Sequence, residues 1–301
     1  TGCDYPIVTG RNCYSYSYDP TFVEDLEPPF QWSVDEETNP DRSAKRRIRE
    51  KSYRRLKRAL YDAFDGTGSQ KRFVNELLRE ERGDELSLRD VLLPSTEYRL
   101  GFRRVARATD EKSTIAAVVP PGPVCDYSFY VVDPFEISPE RGDLTETPLH
   151  SVYERVFTDR ELFVALGLLN SLPFDFLVGR KIDNSIPIYS FNETQVPALT
   201  AGDDWFDYVS ERAARLNCYG EAFTEMRERL GGVTPATEPA ERERLRAEID
   251  AAAFHAYGLD RSETAFVLDD FHRVEDPRLL TDDYFDRVLE VYDRITESDS
   301  E

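Results

Sequence analysis

The chain has 301 residues, 40% of them hydrophobic, which is enough apolar material for one large or two modest folded domains. Its 59 acidic residues outnumber its 38 basic residues, so the net charge is −21, and only 6 of the basic residues are lysine. No apolar run approaches the roughly 18 residues that a membrane helix needs, and no charged and then apolar leader opens the chain. We therefore expect a folded, cytoplasmic protein.

The excess of carboxylates and the scarcity of lysine are typical of proteins adapted to a salt-rich cytoplasm, where a dense acidic surface holds hydration. An ordinary acidic protein from a GC-rich genome is the alternative. In concentrated salt the counterion release that drives most DNA binding is weak. A halophilic DNA-binding protein would depend more on hydrogen bonds to base edges and on DNA shape.

The four cysteines, Cys3, Cys13, Cys125 and Cys218, are widely spaced, and only three histidines accompany them. This spacing fits neither a zinc site nor a dense disulfide framework, so we predict no metal and expect reduced thiols. A bridge between Cys3 and Cys13 is the alternative.

Residues 1–40 are rich in Tyr, Pro and Asp and predict short strands and loops. A basic amphipathic helix is predicted over residues 41–64, since its apolar residues Ile48, Leu56, Leu60 and Phe64 are spaced at multiples of four. Asp41 to Arg58 holds ten basic and two acidic residues. The candidate phosphate contacts in this helix are Lys45, Arg46, Arg49 and Arg54. The alternative is a solvated face paired with acidic neighbours.

Helices are predicted next over residues 71–81 and 86–92, ending before Pro94. Residues 97–120 then predict an arginine-rich hairpin, in which apolar Leu100 and Phe102 alternate with Arg99 and Arg103. Arg99, Arg103 and Arg107 would also align on one face of a helix. The β-branched run at 113–119 favours two strands that turn at 109–112.

Further along, the pattern predicts a strand over 126–133, a helix over 160–170 and a closing strand over 186–190. From residue 202 the chain is predicted to be helical, with Asp260 and Glu263 forming a capping box. This last segment holds 26 acidic and 12 basic residues. We therefore predict an α+β fold: a mixed β-sheet domain with inserted helices over residues 1–200, and an acidic helical domain over residues 201–301.

Three blocks of sequence carry a family resemblance. They are RLGFRRVARATDEKSTIAAVVPPG at 99–122, LFVALGLLNSLPFDFLVGRKIDNSIPIYSFNETQVPAL at 162–199, and ERLRAEIDAAAFHAYGLDRSE at 243–263. In this order they resemble the C-terminal target-recognition region of large adenine-specific DNA methyltransferases of restriction–modification and phage-defence systems. The resemblance implies that residues 1–200 form a DNA target-recognition domain whose partner is double-stranded DNA.

The resemblance also directs attention to basic residues that could read the duplex. Arginine pairs well with guanine edges and with phosphates, so candidate DNA contacts in the hairpin are Arg99, Arg103, Arg107, Thr109 and Lys112. Arg180 and Lys181, which precede DNSIPIY, are further candidates on the DNA side of the family's domain. The alternative for each arginine is an intramolecular ion pair with a nearby carboxylate.

The sequence contains no catalytic signature. The Glu27-Pro28-Pro29-Phe30 segment only superficially resembles the loop that holds a flipped adenine, because Glu replaces the short polar residue and too little chain precedes it. We expect no catalytic residue and no cofactor here, with S-adenosylmethionine bound by a methyltransferase core outside the chain, in cis or in trans. The chain would then be a fragment or a stand-alone specificity subunit. A non-catalytic module whose basic helix docks an acidic protein is the main alternative, and an enzyme with a site built from scattered residues is a third.

Overall fold

The computed structural model describes residues 7–8, 13–14, 17–18, 44–107, 110–125, 128–182, 184–273 and 277–298. Within these residues the fold is α+β, as predicted. The strands are β1 (Ile7–Val8), β2 (Cys13–Tyr14), β3 (Ser17–Tyr18), β4 (Arg99–Arg103), β5 (Ala116–Val119), β6 (Val124–Cys125), β7 (Phe129–Val131), β8 (Phe135–Ile137) and β9 (Tyr153–Arg155). The helices are α1 (Ala44–Ala63), α2 (Gln70–Arg82), α3 (Asp159–Asn170), α4 (Leu172–Gly179), α5 (Ile188–Asn192), α6 (Phe206–Asn217), α7 (Thr224–Arg229), α8 (Pro239–Ala256), α9 (Arg261–Asp269) and α10 (Asp282–Ser298).

Helices α1 and α2 pack against each other, and both were predicted from the sequence. Leu56 and Leu60 of α1 are fully buried and share a core with Val74 and Leu78 of α2. Helix α2 ends at Gly83, whose φ of 79° is left-handed and therefore suits glycine. The predicted helix over 86–92 is shorter in the structure, a single 3₁₀ turn at Leu88–Asp90.

The central sheet is antiparallel, in the order β5-β4-β7, which confirms the two predicted strands of the arginine-rich segment. Leu100 and Phe102 of β4 face the main core, together with side chains from α3 and α6. On the opposite face, Ala117 and Val119 pack with Phe129. Both faces of β4 are therefore covered, whereas the alternating pattern predicted a half-buried strand.

Two helix-terminal asparagines continue the hydrogen-bond ladder of the sheet beyond β5. The Asn170 side chain accepts from Ala116 N–H and donates to Ala116 C=O, both at 3.0 Å. The Asn217 side chain makes the same pair of bonds with Val118, at 3.0 and 3.3 Å. The ends of α3 and α6 are thereby fixed in register with the strand.

The main hydrophobic core crosses the predicted boundary at residue 200. It combines Phe102 and Phe163 with Val209 and Ile249, which come from the two sides of that position. Gly167 of α3 lies so close to Val209 that an added Cβ would overlap the valine side chain. The sheet and the C-terminal helices therefore share one core, and residue 200 does not separate two independently packed units.

Two local predictions in the second half have opposite outcomes. The closing strand over 186–190 is wrong, since this stretch enters the short helix α5, whose Phe191 ring stacks on Phe102 with centroids 4.0 Å apart. The capping box at the start of α9 is confirmed: the side chains of Asp260 and Glu263 each accept the other residue's backbone N–H at 2.9 Å.

Among the described helices, none alone is long and apolar enough to cross a membrane. The pair α3 and α4 reaches that length and composition together, but the two helices are bent by 57° and their apolar side chains, such as Phe163 and Phe174, are buried in the core.

Candidate nucleic-acid interface

One face of α1 is a stripe of exposed basic side chains. Lys51, Arg54 and Arg58 occupy positions i, i+3 and i+7, so they lie on the same side of the helix, opposite Leu56 and Leu60 in the core. We call these three residues the α1 basic face. Arg58 has only a loose pair with Asp62, at 3.3 Å and well exposed, and Arg54 Nε donates to the Glu50 carbonyl.

Other basic groups of α1 have different surroundings. Arg49 is partly buried. Arg55, one helical turn after Lys51, bonds Asp133 and the Phe135 carbonyl, which ties α1 to the chain after β7. The predicted contacts Lys45 and Arg46 fall in the first turn of α1, and their side chains lie outside the described part of the structure.

Arg99 is not a DNA contact, contrary to the prediction. Its side chain is only 4% exposed, and its guanidinium donates to the carbonyls of Pro123 at 2.7 Å and of Pro120 at 3.3 Å. The cause is the second packing layer over β4, which leaves this arginine inside the protein, where it holds the Pro120–Pro123 turn.

Lys112 is likewise turned inward, which contradicts its assignment as a DNA contact. Its Nζ donates to the Asn170 carbonyl at the end of α3. Burial lowers the pKa of Lys112, an effect that the nearby carboxylates of Asp250 and Asp175 oppose. The backbone N–H groups of Ser113 and Thr114 donate to Asp175 in α4.

The loop that holds Lys112 is tied to the C-terminal region as well. Glu111 accepts hydrogen bonds from the backbone N–H groups of Leu279 at 2.6 Å and of Leu280 at 2.5 Å. The KSTIAAVV block therefore acts as a structural joint between the sheet and the helices. Thr109, the predicted contact in this turn, lies outside the described residues.

A second exposed basic region lies where β4 ends. Arg103 is partly exposed and its side chain has no hydrogen bond or ion pair with any described residue, and Arg107 is exposed. Helix α5 is adjacent, because Ile186 N–H donates to the Arg104 carbonyl at 2.8 Å. Tyr189 of α5 is 66% exposed. We call Arg103, Arg104, Arg107 and Tyr189 the β4-end surface.

Arg180 and Lys181 follow α4 and are both exposed. Arg180 is already engaged, because its guanidinium lies 3.8 Å from the centre of the Phe176 ring and pairs with Asp270 at 2.9 Å. Lys181 makes two long contacts, to the Glu193 carbonyl at 3.4 Å and to Thr194 at 3.3 Å. Of the two, Lys181 is the freer to contact a ligand.

The structure does not gather the predicted contacts into one cluster. Helix α1 reaches the sheet through Arg55 and Asp133, beside the Arg99 end of β4, whereas α5 meets the strand at Arg104. At about 3.3 Å per residue of extended chain, Arg99 and Arg104 are roughly 17 Å apart. The α1 basic face and the β4-end surface are therefore two separate regions.

Sequence reasoning overlooked Lys51, Arg58 and Tyr189. The spacing of Lys51, Arg54 and Arg58 could have identified the first two, because it places them opposite the apolar stripe. Tyr189 had no such signal, since its exposure follows from the helix that replaces the predicted strand.

The described residues contain no group of three or more His, Cys, Asp or Glu side chains placed to hold a metal ion. Comparisons with protein families, curated proteins and solved structures find no match to this chain.

Proposed function

We propose that the chain binds double-stranded DNA through the α1 basic face, with the β4-end surface as a second contact. The observation that carries the proposal is the stripe of Lys51, Arg54 and Arg58, exposed on one side of a well-packed helix in a chain of net charge −21. Side chains of this kind suit phosphate oxygens along a groove. Carboxylates elsewhere on the chain repel DNA and so favour this orientation.

The resemblance of the three sequence blocks adds a role to this binding. We propose that the chain reads a short DNA site for an adenine-specific methyltransferase of a restriction–modification or phage-defence system, with S-adenosylmethionine bound by a catalytic core outside the chain. In this proposal the β4-end surface reads the bases. The guanidinium of Arg103 has no hydrogen bond or ion pair with any residue that the structure describes, and Tyr189 offers an exposed ring for stacking.

The proposal is tested by measuring the affinity for a labelled duplex by fluorescence anisotropy over a range of salt concentrations. We expect Lys51→Glu and Arg54→Glu each to weaken binding and to reduce the slope of log affinity against log salt by about one unit, as loss of a phosphate contact does. Arg278→Glu is the matched control, since this exposed arginine lies in the acidic C-terminal region. Equal affinities for all four proteins would refute the proposal.

A protein-docking function is the second candidate. It is favoured by three apolar side chains near the end of β4 that are about half exposed or more, Val105 (52%), Ile188 (47%) and Tyr189 (66%). Polyglutamate serves as a competitor in the same assay, because it matches the charge of an acidic partner without base edges. Displacement of the duplex by an equal charge of polyglutamate would favour docking to an acidic protein over DNA recognition.

A further inference from the structure

Strands β8 and β9 form a two-stranded antiparallel sheet of their own. Just after β9, the Val156 N–H donates to the Pro134 carbonyl at 2.9 Å, so the backbone of Val156 faces the β8 side of the sheet. The backbone groups of an antiparallel strand point to its two edges at alternating residues. Glu154 therefore also faces β8, whereas the backbone groups of Tyr153 and Arg155 point away from it.

The outer edge of β9 has open backbone groups. Tyr153 N–H donates to the His150 carbonyl at 3.2 Å. The Tyr153 carbonyl and both backbone groups of Arg155 form no hydrogen bond with any other residue in the described part of the chain, and Arg155 is exposed. The outer edge of β8 is different, because its Phe135 carbonyl accepts from Arg55 at 2.6 Å. An exposed strand edge with open groups can pair with one more strand.

Two glutamates lie directly opposite each other in this sheet. Glu136 of β8 and Glu154 of β9 are register partners, so their side chains point to the same face. We call them the glutamate pair. Both are exposed, and neither has a hydrogen bond or an ion pair with a residue that the structure describes. Like charges at directly opposite positions destabilise a sheet, and a cation placed beside them would remove that cost.

The neighbours of Glu154 define what would fit beside it. Val156, two positions later, lies on the same face and is 43% exposed. Arg155 points to the other face, where it pairs with Asp159 at 2.5 Å and with Glu97 at 3.4 Å, so it does not neutralise the glutamate pair. The edge thus presents an acidic position and then an apolar one. A matching strand has a basic residue opposite Glu154 and an apolar residue opposite Val156.

We propose that the outer edge of β9 binds an extended basic segment of another protein as a third, antiparallel strand. A second copy of this chain does not suit the edge, because it would bring its own Glu154 and a net charge of −21 to the glutamate pair. Nucleic acid does not suit it either, since its phosphates would meet the same carboxylates. The proposal goes beyond DNA binding, because no residue of this edge belongs to the α1 basic face or to the β4-end surface.

The probe is a fluorescently labelled peptide of sequence Lys-Thr-Val-Thr-Lys-Thr-Val-Thr, which as a strand has lysine and valine on one face. When these side chains lie opposite Glu154 and Val156, the threonine backbone groups face β9. We expect N-methylation of the threonines to weaken binding about tenfold or more, because it removes the donors to the strand edge. The peptide that is N-methylated at lysine and valine instead has the same charge and should keep its affinity.

Glu154→Lys tests the charge of the edge. We expect it to weaken binding of the unmethylated peptide about tenfold or more, because it replaces attraction by repulsion. Glu290→Lys makes the same charge change at an exposed position of α10 and should bind as the wild type does. The amide of Arg155 gives a readout that needs no variant, since its hydrogen exchange should slow when the peptide binds.

Four results would each overturn the proposal. They are a wild-type protein that does not bind the peptide, equal affinities for the two N-methylated peptides, a Glu154→Lys variant that binds as the wild type does, and an Arg155 amide whose exchange is unchanged by the peptide. None of them bears on the duplex affinity measured with the α1 variants, so the two proposals fail separately.

Discussion

Asp90 and Arg82 form a fully buried ion pair, with side chains 0% and 2% exposed. The guanidinium donates to both carboxylate oxygens, at 2.8 and 2.9 Å, and the carboxylate also accepts from the backbone N–H of Ser87 at 2.7 Å. Burial by itself raises the pKa of Asp90, but the hydrogen bonds from Arg82 and Ser87 outweigh it, so the net pKa is lowered. The folded state therefore favours the ionised carboxylate.

Asp90→Asn should destabilise the protein strongly, because it leaves the buried charge of Arg82 without its counterion. We expect a loss of about 3–5 kcal/mol in the free energy of unfolding, measured by urea denaturation. Asp62→Asn removes a comparable but exposed ion pair, with Arg58, and should cost at most about 1 kcal/mol. Similar losses in the two variants would contradict this explanation.

The same ion pair predicts a response to acid. The pKa of Asp90 is lower in the folded protein than its value of about 3.9 in an unfolded chain. Its contribution to stability is therefore complete above the unfolded value and is lost as the pH falls through the folded value. The difference in unfolding free energy between wild type and Asp90→Asn should shrink below about pH 4. A difference that stays constant down to pH 3 would rule out the carboxylate as its source.

At the level of secondary structure, the joint between α3 and β5 depends on Asn170. Its side chain is 2% exposed and bonds the backbone of Ala116 twice, with a further bond at 3.2 Å to the Leu166 carbonyl. Asn170 and Ala116 are both buried, so loss of the amide leaves strand N–H and C=O groups unsatisfied.

Asn170→Ala should therefore cost about 2–4 kcal/mol of unfolding free energy, since it removes several buried hydrogen bonds at once. Chemical denaturation followed by circular dichroism measures this loss. Asn192→Ala, at an exposed position at the end of α5, is the control and should change the free energy little. A cost for Asn170→Ala no larger than that of the control would show that the joint is not held by the amide.

Local sequence patterns correctly predicted the secondary-structure elements that are specified by residues close together in the chain. The spacing of Leu56 and Leu60 predicted α1, and the Asp260 and Glu263 pair predicted the start of α9. The segment at 186–190 was predicted to be a closing strand. In the structure this segment enters α5, where Phe191 stacks on Phe102, a residue 89 positions earlier in the chain that the local pattern does not take into account.

The directions of individual side chains were harder to predict for the same reason. The strand at Arg99 was predicted correctly. The exposure of the Arg99 side chain, however, depends on whether a second layer of residues covers β4, and the alternation of apolar and basic residues along the strand carries no information about that layer. Lys112 turns inward because α4 and α8 bring carboxylates to it from distant parts of the chain. Arg54, in contrast, lies on a helix with one packed face, so its exposure followed from the local pattern.

Across the whole chain, arginines and carboxylates form several multi-residue networks. Asp159 pairs with both Arg155 and Arg229, and Glu248 pairs with Arg212 and Arg244. These networks use arginine, whose planar guanidinium bridges more than one oxygen. The remaining carboxylates give the protein its net charge of −21, and their mutual repulsion opposes folding.

Salt should therefore stabilise the protein. Raising potassium gluconate from 0.1 M to 1 M shortens the screening length from about 10 Å to about 3 Å, which weakens repulsion between carboxylates. Exposed ion pairs also weaken, but each contributes only about 0–1 kcal/mol. We expect the urea midpoint to increase with this salt. A lower midpoint in 1 M salt would mean that ion pairs outweigh repulsion.

The asparagines beside β5 have a consequence for how copies of the protein behave together. An outermost strand with open N–H and C=O groups is a template on which another chain can add a strand, the first step of sheet-mediated aggregation. At Ala116 and Val118 those groups are occupied by Asn170 and Asn217, so this flank of the sheet offers a neighbouring molecule nothing to pair with. The two amides thus close this flank of the central sheet to strand addition as well as holding the protein's own helices in place.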